Sequence, residues 1–214
     1  MRSWSAAAFV AAALVGGVLL PAVPATAVHG AVPGDFNGDG YRDAVLPAPG
    51  ANVSGKEGAG AVVVLYGSAS GLSTSRRKTI TQNTAGVPGA SEAYDAFGAA
   101  TATADLNRDG YADLVVGTPD EDTSKGTDSG AVTVLWGGRS GLTSGTDLPS
   151  PLSSTHRYGE DIAALGLGGG SRTRVAVSAM DATRVLHRTV HPERYVRVCR
   201  GQREHPVPPV RRAR

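Results

Sequence analysis

The sequence predicts an all-β fold built from repeated four-stranded blades, and three observations predict it. The acidic stretch DFNGDGYRD at residues 35–43 returns as DLNRDGYAD at 105–113 with every carboxylate kept. GAVVVLYG from Gly60 returns as GAVTVLWG from Gly130, and Ser70-Gly71-Leu72 returns as Ser140-Gly141-Leu142, so three separate blocks share one offset of 70 residues. A common offset over three blocks marks a duplicated unit. Within each unit the apolar runs are short, valine-rich and bounded by Gly, Ser and Asp, and no useful length of amphipathic helix is spelled out.

The chain opens on a cation at Arg2, an apolar run from Ala6 to Leu20 and the small-residue pattern Ala25-Thr26-Ala27. That order reads as a secretory signal peptide over residues 1–27. The apolar run is shorter than the roughly 20 residues a spanning helix needs, and Pro21 follows it at once. No membrane span is therefore expected after cleavage, and the mature chain is expected to be secreted, at the cell exterior or surface. The single cysteine, Cys199, excludes an internal disulfide, so packing or a bound ligand must stabilise the exported protein.

The first unit is assigned to residues 28–88 and the second to 89–150. Short strands should leave each acidic loop at Asp43-Ala44-Val45-Leu46-Pro47 and Asp113-Leu114-Val115-Val116-Gly117, and a second strand should follow in each GAV run. An uninterrupted apolar run of that kind is expected to be covered on both faces. Between them APGANVSGKEGAG and TPDEDTSKGTDSG read as hairpin connections, and AFGAATATADLN alternates small residues as a further strand before the second loop. The first unit lacks that strand. Strands covered on both faces, in units of this size, suit radially packed blades.

A third, altered unit is assigned to residues 151–181. HRYGEDIAALGLGGGSRTRVAVSAMD superposes on DAFGAATATADLNRDGYADLVVGTPD with an offset of 61, which sets Tyr158-Gly159 on Phe97-Gly98. Its loop carries Gly166, Gly168, Gly170 and Arg174 where the acids stood, so no cation is expected there. Residues 182–214 then change character. From residue 184 onward there are nine arginines and two glutamates, whereas the preceding residues are net acidic. This basic tail is expected to be disordered, and a shifted reading frame within the third unit, or a truncation, is the preferred explanation for it over a functional extension.

Phe97-Gly98, followed by DLNRDGYADLVVGTP and then GAVTVLWG, resembles an FG-GAP repeat, the blade unit of the integrin α-subunit β-propeller and of secreted bacterial integrin-like proteins. The resemblance covers residues 31–181. It implies an incomplete propeller of about two nearly complete blades and part of a third, since closed propellers usually hold about four to eight blades. It also implies that the acidic loops bind calcium, through Asp35, Asn37, Asp39 and Asp43 in the first and Asp105, Asn107, Asp109 and Asp113 in the second. Loop chemistry agrees. Side chains at positions 1, 3, 5 and 9 with a backbone carbonyl at 7, here Tyr41 and Tyr111, can converge on a hard cation that prefers six to eight oxygens. Position 12 is Leu46 or Val116 where an EF-hand needs a bidentate Glu, and a strand follows instead of a helix, so these are not EF-hands. A solvated Asp/Asn/Gly turn is the competing reading, and repetition in register counts against it.

Enzymatic signatures are absent: there is no GxSxG elbow, no HExxH and no nucleotide-binding glycine loop. Nucleic acid is not an expected partner, because the tail carries only Tyr195 as an aromatic and no recognisable motif. The expected function is non-catalytic binding or adhesion toward an extracellular protein or glycan. The alternative is a propeller-associated fragment of a secreted, phospholipase-like hydrolase, whose chemistry would belong to a separate domain. An arc of blades should leave the outer faces of AVVVLY and AVTVLW poorly covered, so self-association or blades supplied in trans are expected.

Overall fold

The structure, a computed structural model, describes residues 32–151, 157–165, 173–180 and 186–189. Among them are ten strands and no helix, arranged as three antiparallel sheets. The first sheet holds β1 (Ala44–Ala48), β2 (Ala61–Leu65) and β3 (Arg77–Ile80). The second holds β4 (Ala100–Ala104), β5 (Asp113–Thr118), β6 (Ala131–Trp136) and β7 (Ser144–Asp147). The third holds β8 (Ile162–Leu165), β9 (Arg174–Val177) and β10 (Leu186–Thr189). Within each sheet every strand pairs with the next in the chain, so each sheet is a simple meander. These are propeller-type blades that do not close on themselves.

The second blade shows why its sequence is so apolar. Side chains alternate across a strand, and in β5 both sides are buried: Leu114 and Val116 enter the core shared with the first blade, whereas Val115 enters the core shared with the third. In β6, Leu135 faces the first blade, and Val132 and Val134 face the third. Burial of each such side chain contributes about 1.5–3 kcal/mol. The expectation of two-sided cover therefore holds for this blade.

For the first blade it holds on one side only. Val62 and Val64 are buried against the second blade, but Leu46 is 46% exposed and stands opposite Val63, which with Leu65 is only half-buried. The sequence expectation that both GAV strands keep an open face is thus corrected: β2 has one, and β6 does not, because the third blade covers it. The third blade supplies Tyr158, Ile162, Val175 and Val177 for that purpose.

Among the described residues the first blade has three strands. β10 lies inside residues 182–214, where the sequence showed no strand signal; β9 offers an edge to pair with, and Leu186–Thr189 pairs against Val177–Arg174. The expected signal peptide, the glycine-rich loop at 166–172, Cys199 and the rest of the basic tail lie outside the described residues. No helix among the described residues is long and apolar enough to cross a membrane.

Neighbouring blades are joined backbone to backbone at a recurring point. Phe97 N donates to Ala59 O at 3.0 Å, and Tyr158 N donates to Ser129 O at 3.0 Å. Beside each bond sits a glycine, Gly60 or Gly130, on which a Cβ would lie 2.3 Å from both the N and O of Phe97 or Tyr158. Their φ angles, +90° and +79°, also belong to the left-handed region. Gly40 has a similar φ of +87° but nothing within 4 Å of its Cβ position. Gly60→Ala or Gly130→Ala should therefore cost about 3–4 kcal/mol, combining backbone strain with overpacking, whereas Gly40→Ala should cost only about 1 kcal/mol. Denaturant melts in calcium-free buffer would compare them, and equal losses would refute the junction argument.

Candidate functional site

Each acidic loop folds back on its own backbone through its first three polar side chains. In the first loop Asp35 Oδ1 accepts from the amides of Gly38 and Asp39 at 2.7 and 3.2 Å, and Oδ2 accepts from Gly40 at 2.9 Å. Asn37 Oδ1 accepts from Asp39 N at 3.1 Å, and Asp39 Oδ1 accepts from Tyr41 N at 3.0 Å. The second loop repeats the wrap: Asp105 accepts from Arg108 and Gly110, Asn107 from Asp109, and Asp109 from Tyr111, at 2.7–3.2 Å. These local side-chain-to-backbone bonds are what Asp and Asn offer a tight turn.

The ninth position does something different. Asp43 Oδ2 and Oδ1 accept from the amides of Phe36 and Gly67 at 2.9 and 2.8 Å. Asp113 does the same with Leu106 and Gly137, at 2.8 and 2.9 Å, and is fully buried. These two carboxylates pin the loop to the start of the strand and to the residue after the GAV run. Sequence reasoning set all four side chains of each loop in one role; burial separates the pin from the rim, where Asp39 and Asp109 are exposed.

Both loops also sit at a blade joint. Ala112 N donates to Asp35 O at 2.9 Å, Gly138 N to Phe36 O at 3.0 Å, and the Tyr111 ring lies so close to Gly38 that a Cβ there would be 2.5 Å from it. Thr173 Oγ1 donates to Asp105 O at 3.1 Å, which repeats the first of these contacts one blade later. Tyr41, by contrast, is exposed.

An arginine from outside the loop reaches the first of them. Arg76 Nη2 lies 3.2 Å from Asp39 Oδ2, whereas the matching position of the second unit is Thr146, occupied with Trp136 Nε1. In Asp39, desolvation is the largest single influence and pushes the pKa up, but the bonds from Tyr41, Asn37 and Arg76 together outweigh it and leave it lowered. Desolvation raises Asp43, against the Gly67 and Phe36 amides and with the help of the Asp35 and Asp39 charges. Burial pushes Asp113 up to about 6, opposed by Gly137 and Leu106 and reinforced by Asp109 and Asp105.

Among the described residues no three His, Cys, Asp or Glu side chains stand close enough to hold a metal by themselves. A cation in either loop would thus need the Asn oxygen and a main-chain carbonyl beside the carboxylates. The donor set fits that need: it is all oxygen, three of its members are acids that repel one another, and a carboxylate oxygen bonded to one amide keeps a further lone pair.

Meandering blades joined at Phe/Tyr-Gly and carrying paired acidic loops define a blade-repeat protein. A family model for the FG-GAP repeat matches residues 27–65 and 97–135, and the chain is an FG-GAP repeat protein. It is also similar to phosphatidylinositol-glycan-specific phospholipase D from Bos taurus and Mus musculus, at 31% identity over 147 residues, which is 68% of this chain and 17% of each relative. The Rattus norvegicus protein of that name is 35% identical over 107 residues, 50% of this chain and 13% of the relative. The chain thus spans a small part of the curated relatives it matches.

Two outcomes test the division between pin and rim. In chelator, Asp113→Ala should cost about 2–4 kcal/mol, because two buried amides lose their acceptor, and Asp109→Ala about 1 kcal/mol or less. Asp113 also gives a pH signature. Burial holds its folded pKa at about 6, above the usual aspartate range, so the folded state holds more protons from about pH 4 to about pH 6, and calcium-free stability should fall as pH rises through that window. Asp113→Asn should flatten that limb in a series of urea melts; an unchanged slope would overturn the assignment.

Proposed function

We propose that this protein is an extracellular, calcium-stabilised, non-catalytic binding module acting in adhesion or recognition of a protein or glycan. The observation that carries the calcium reading is the repeated wrap, which holds three mutually repelling carboxylates and an Asn oxygen within nine residues in each of two loops. FG-GAP membership and the phospholipase D relatives fit an exported protein. In this reading Asp35, Asn37, Asp39, Asp43 and the Tyr41 carbonyl hold one ion, and Asp105, Asn107, Asp109, Asp113 and the Tyr111 carbonyl hold the other. The ion supplies charge neutralisation at the blade joints.

A second reading rests on the phospholipase D similarity: the blades would accompany a hydrolase and position it on its substrate. In that case the described residues still supply recognition. Neither reading assigns them bond cleavage, so the chain alone should release no phosphatidylinositol-glycan-anchored protein from vesicles; measurable release would sink the non-catalytic assignment.

Calorimetry tests the ions directly. Two loop sites are expected with dissociation constants of order 10⁻⁴–10⁻³ M, as in extracellular modules. Asp109→Ala should abolish the second and spare the first. Arg76 competes for Asp39, and an exposed ion pair is worth about 0–1 kcal/mol, so Arg76→Ala should tighten the first site by up to about fivefold. No calcium heat from folded protein would refute the calcium reading.

A further inference from the structure

Gln82 and Glu121 meet across the joint of the first two blades. Gln82 follows β3 of the first blade, and Glu121 lies in the turn that leaves β5 of the second, where its N donates to Thr118 O at 3.3 Å. Gln82 Nε2 donates to Glu121 Oε2 at 2.5 Å. The backbone of Glu121 is tied to the next joint as well, because its carbonyl accepts from Gly130 N at 3.0 Å. Ala51 holds the same backbone place in the first unit, where its carbonyl accepts from Gly60 N at 2.9 Å, but its methyl group offers no hydrogen bond to a neighbour.

The contact between the two side chains is half made. Gln82 is 5% exposed, and its Oε1 has no hydrogen-bond partner. A buried acceptor of this kind requires a donor, and an ionised carboxylate can only accept, so Glu121 can serve Oε1 only when it carries a proton. Its free oxygen is close by, since a Cβ on Gly89 would lie 2.9 Å from Gln82 Nε2 and 3.5 Å from Glu121 Oε1. The surroundings favour the proton. Asp95 and Glu92 act on Glu121 from the connector between the blades and Asp147 acts from β7, while Asp122 adds its charge to Asp95 from the turn itself. Desolvation is the largest influence on Glu121 and, with those three charges, pushes its pKa up to about 7 against the Gln82 bond.

We propose that Glu121 and Gln82 form a proton-dependent clamp between the first two blades, in which the neutral carboxyl donates to Gln82 Oε1 while its other oxygen accepts from Gln82 Nε2. Loss of the proton removes one of the two bonds, leaves a buried oxygen bare and sets a charge beside Asp95. Because the folded pKa of Glu121 is raised, the stabilisation is complete below the ordinary glutamate range and is lost as pH rises through about 7. The first joint is therefore tightest in mildly acidic surroundings and loosens as they turn alkaline. The clamp needs no metal, so it stands or falls independently of the calcium reading.

Urea melts of the full chain from about pH 6 to about pH 8, with chelator present throughout, test the clamp by comparing wild type with Glu121→Gln at matched pH, which cancels the other titrating groups. A carboxamide at position 121 keeps a donor and an acceptor at every pH. The variant should therefore gain stability relative to wild type as pH rises, with the ratio of the two unfolding constants changing about tenfold across that range. A constant ratio overturns the proposal. Carboxyl and side-chain amide NMR of the wild-type chain gives a second measurement, which decides the matter if Glu121→Gln does not fold. The Glu121 Cδ and Gln82 side-chain amide resonances should titrate together, with a midpoint near the raised pKa. A Glu121 midpoint in the ordinary glutamate range, or a Gln82 amide that does not follow it, equally overturns the clamp.

Discussion

The fold depends on how closely the backbone of one blade can approach the backbone of the next. Phe97 and Tyr158 each reach across a joint to bond the preceding blade, and they can do so only because Gly60 and Gly130 carry no side chain. Once that distance is fixed, the valines of β5 and β6 interdigitate with both neighbours. The apolar stabilisation is large, but it is available only at this spacing. The glycine is a geometric condition on the core, not a loop detail.

The acidic loops inherit their place from the same joints. Asp35 and Phe36 present carbonyls to Ala112 and Gly138 of the second blade, and Asp105 presents its carbonyl to Thr173 of the third. Whatever neutralises the loop carboxylates therefore acts on a hinge between sheets as well as on the loop. Burial of Asp113 shows the balance of forces: desolvation pushes its proton affinity up, and two amide bonds hold its carboxylate in place regardless. Such a group is stable by virtue of position rather than by solvation.

Much of the architecture was legible in the sequence because it is written more than once. The 70-residue offset placed β1, β2, β5 and β6, and the small-residue alternation of AFGAATATADLN placed β4. The junction could be read only in part: Phe97-Gly98 was visible as a motif, but its partner Gly60 lies 37 positions away and acts through shape, which spacing does not encode. Within the loops, residue type marked every candidate donor yet could not separate Asp113 from Asp109, since both are aspartates and only one is buried. β10 was hidden because its pairing is dictated by the edge of β9 rather than by its own composition.

The double burial of the middle sheet has a consequence for how the molecule comes apart. Peeling away the first or the third blade uncovers a single apolar interface, whereas opening β5 and β6 first would uncover two at once. Units stacked in a row lose structure most easily from their ends. Under heat or pulling force, unravelling should begin at the outer sheets and reach Leu114, Val115, Val132 and Val134 last, which makes the central hairpin the kinetic anchor of the chain.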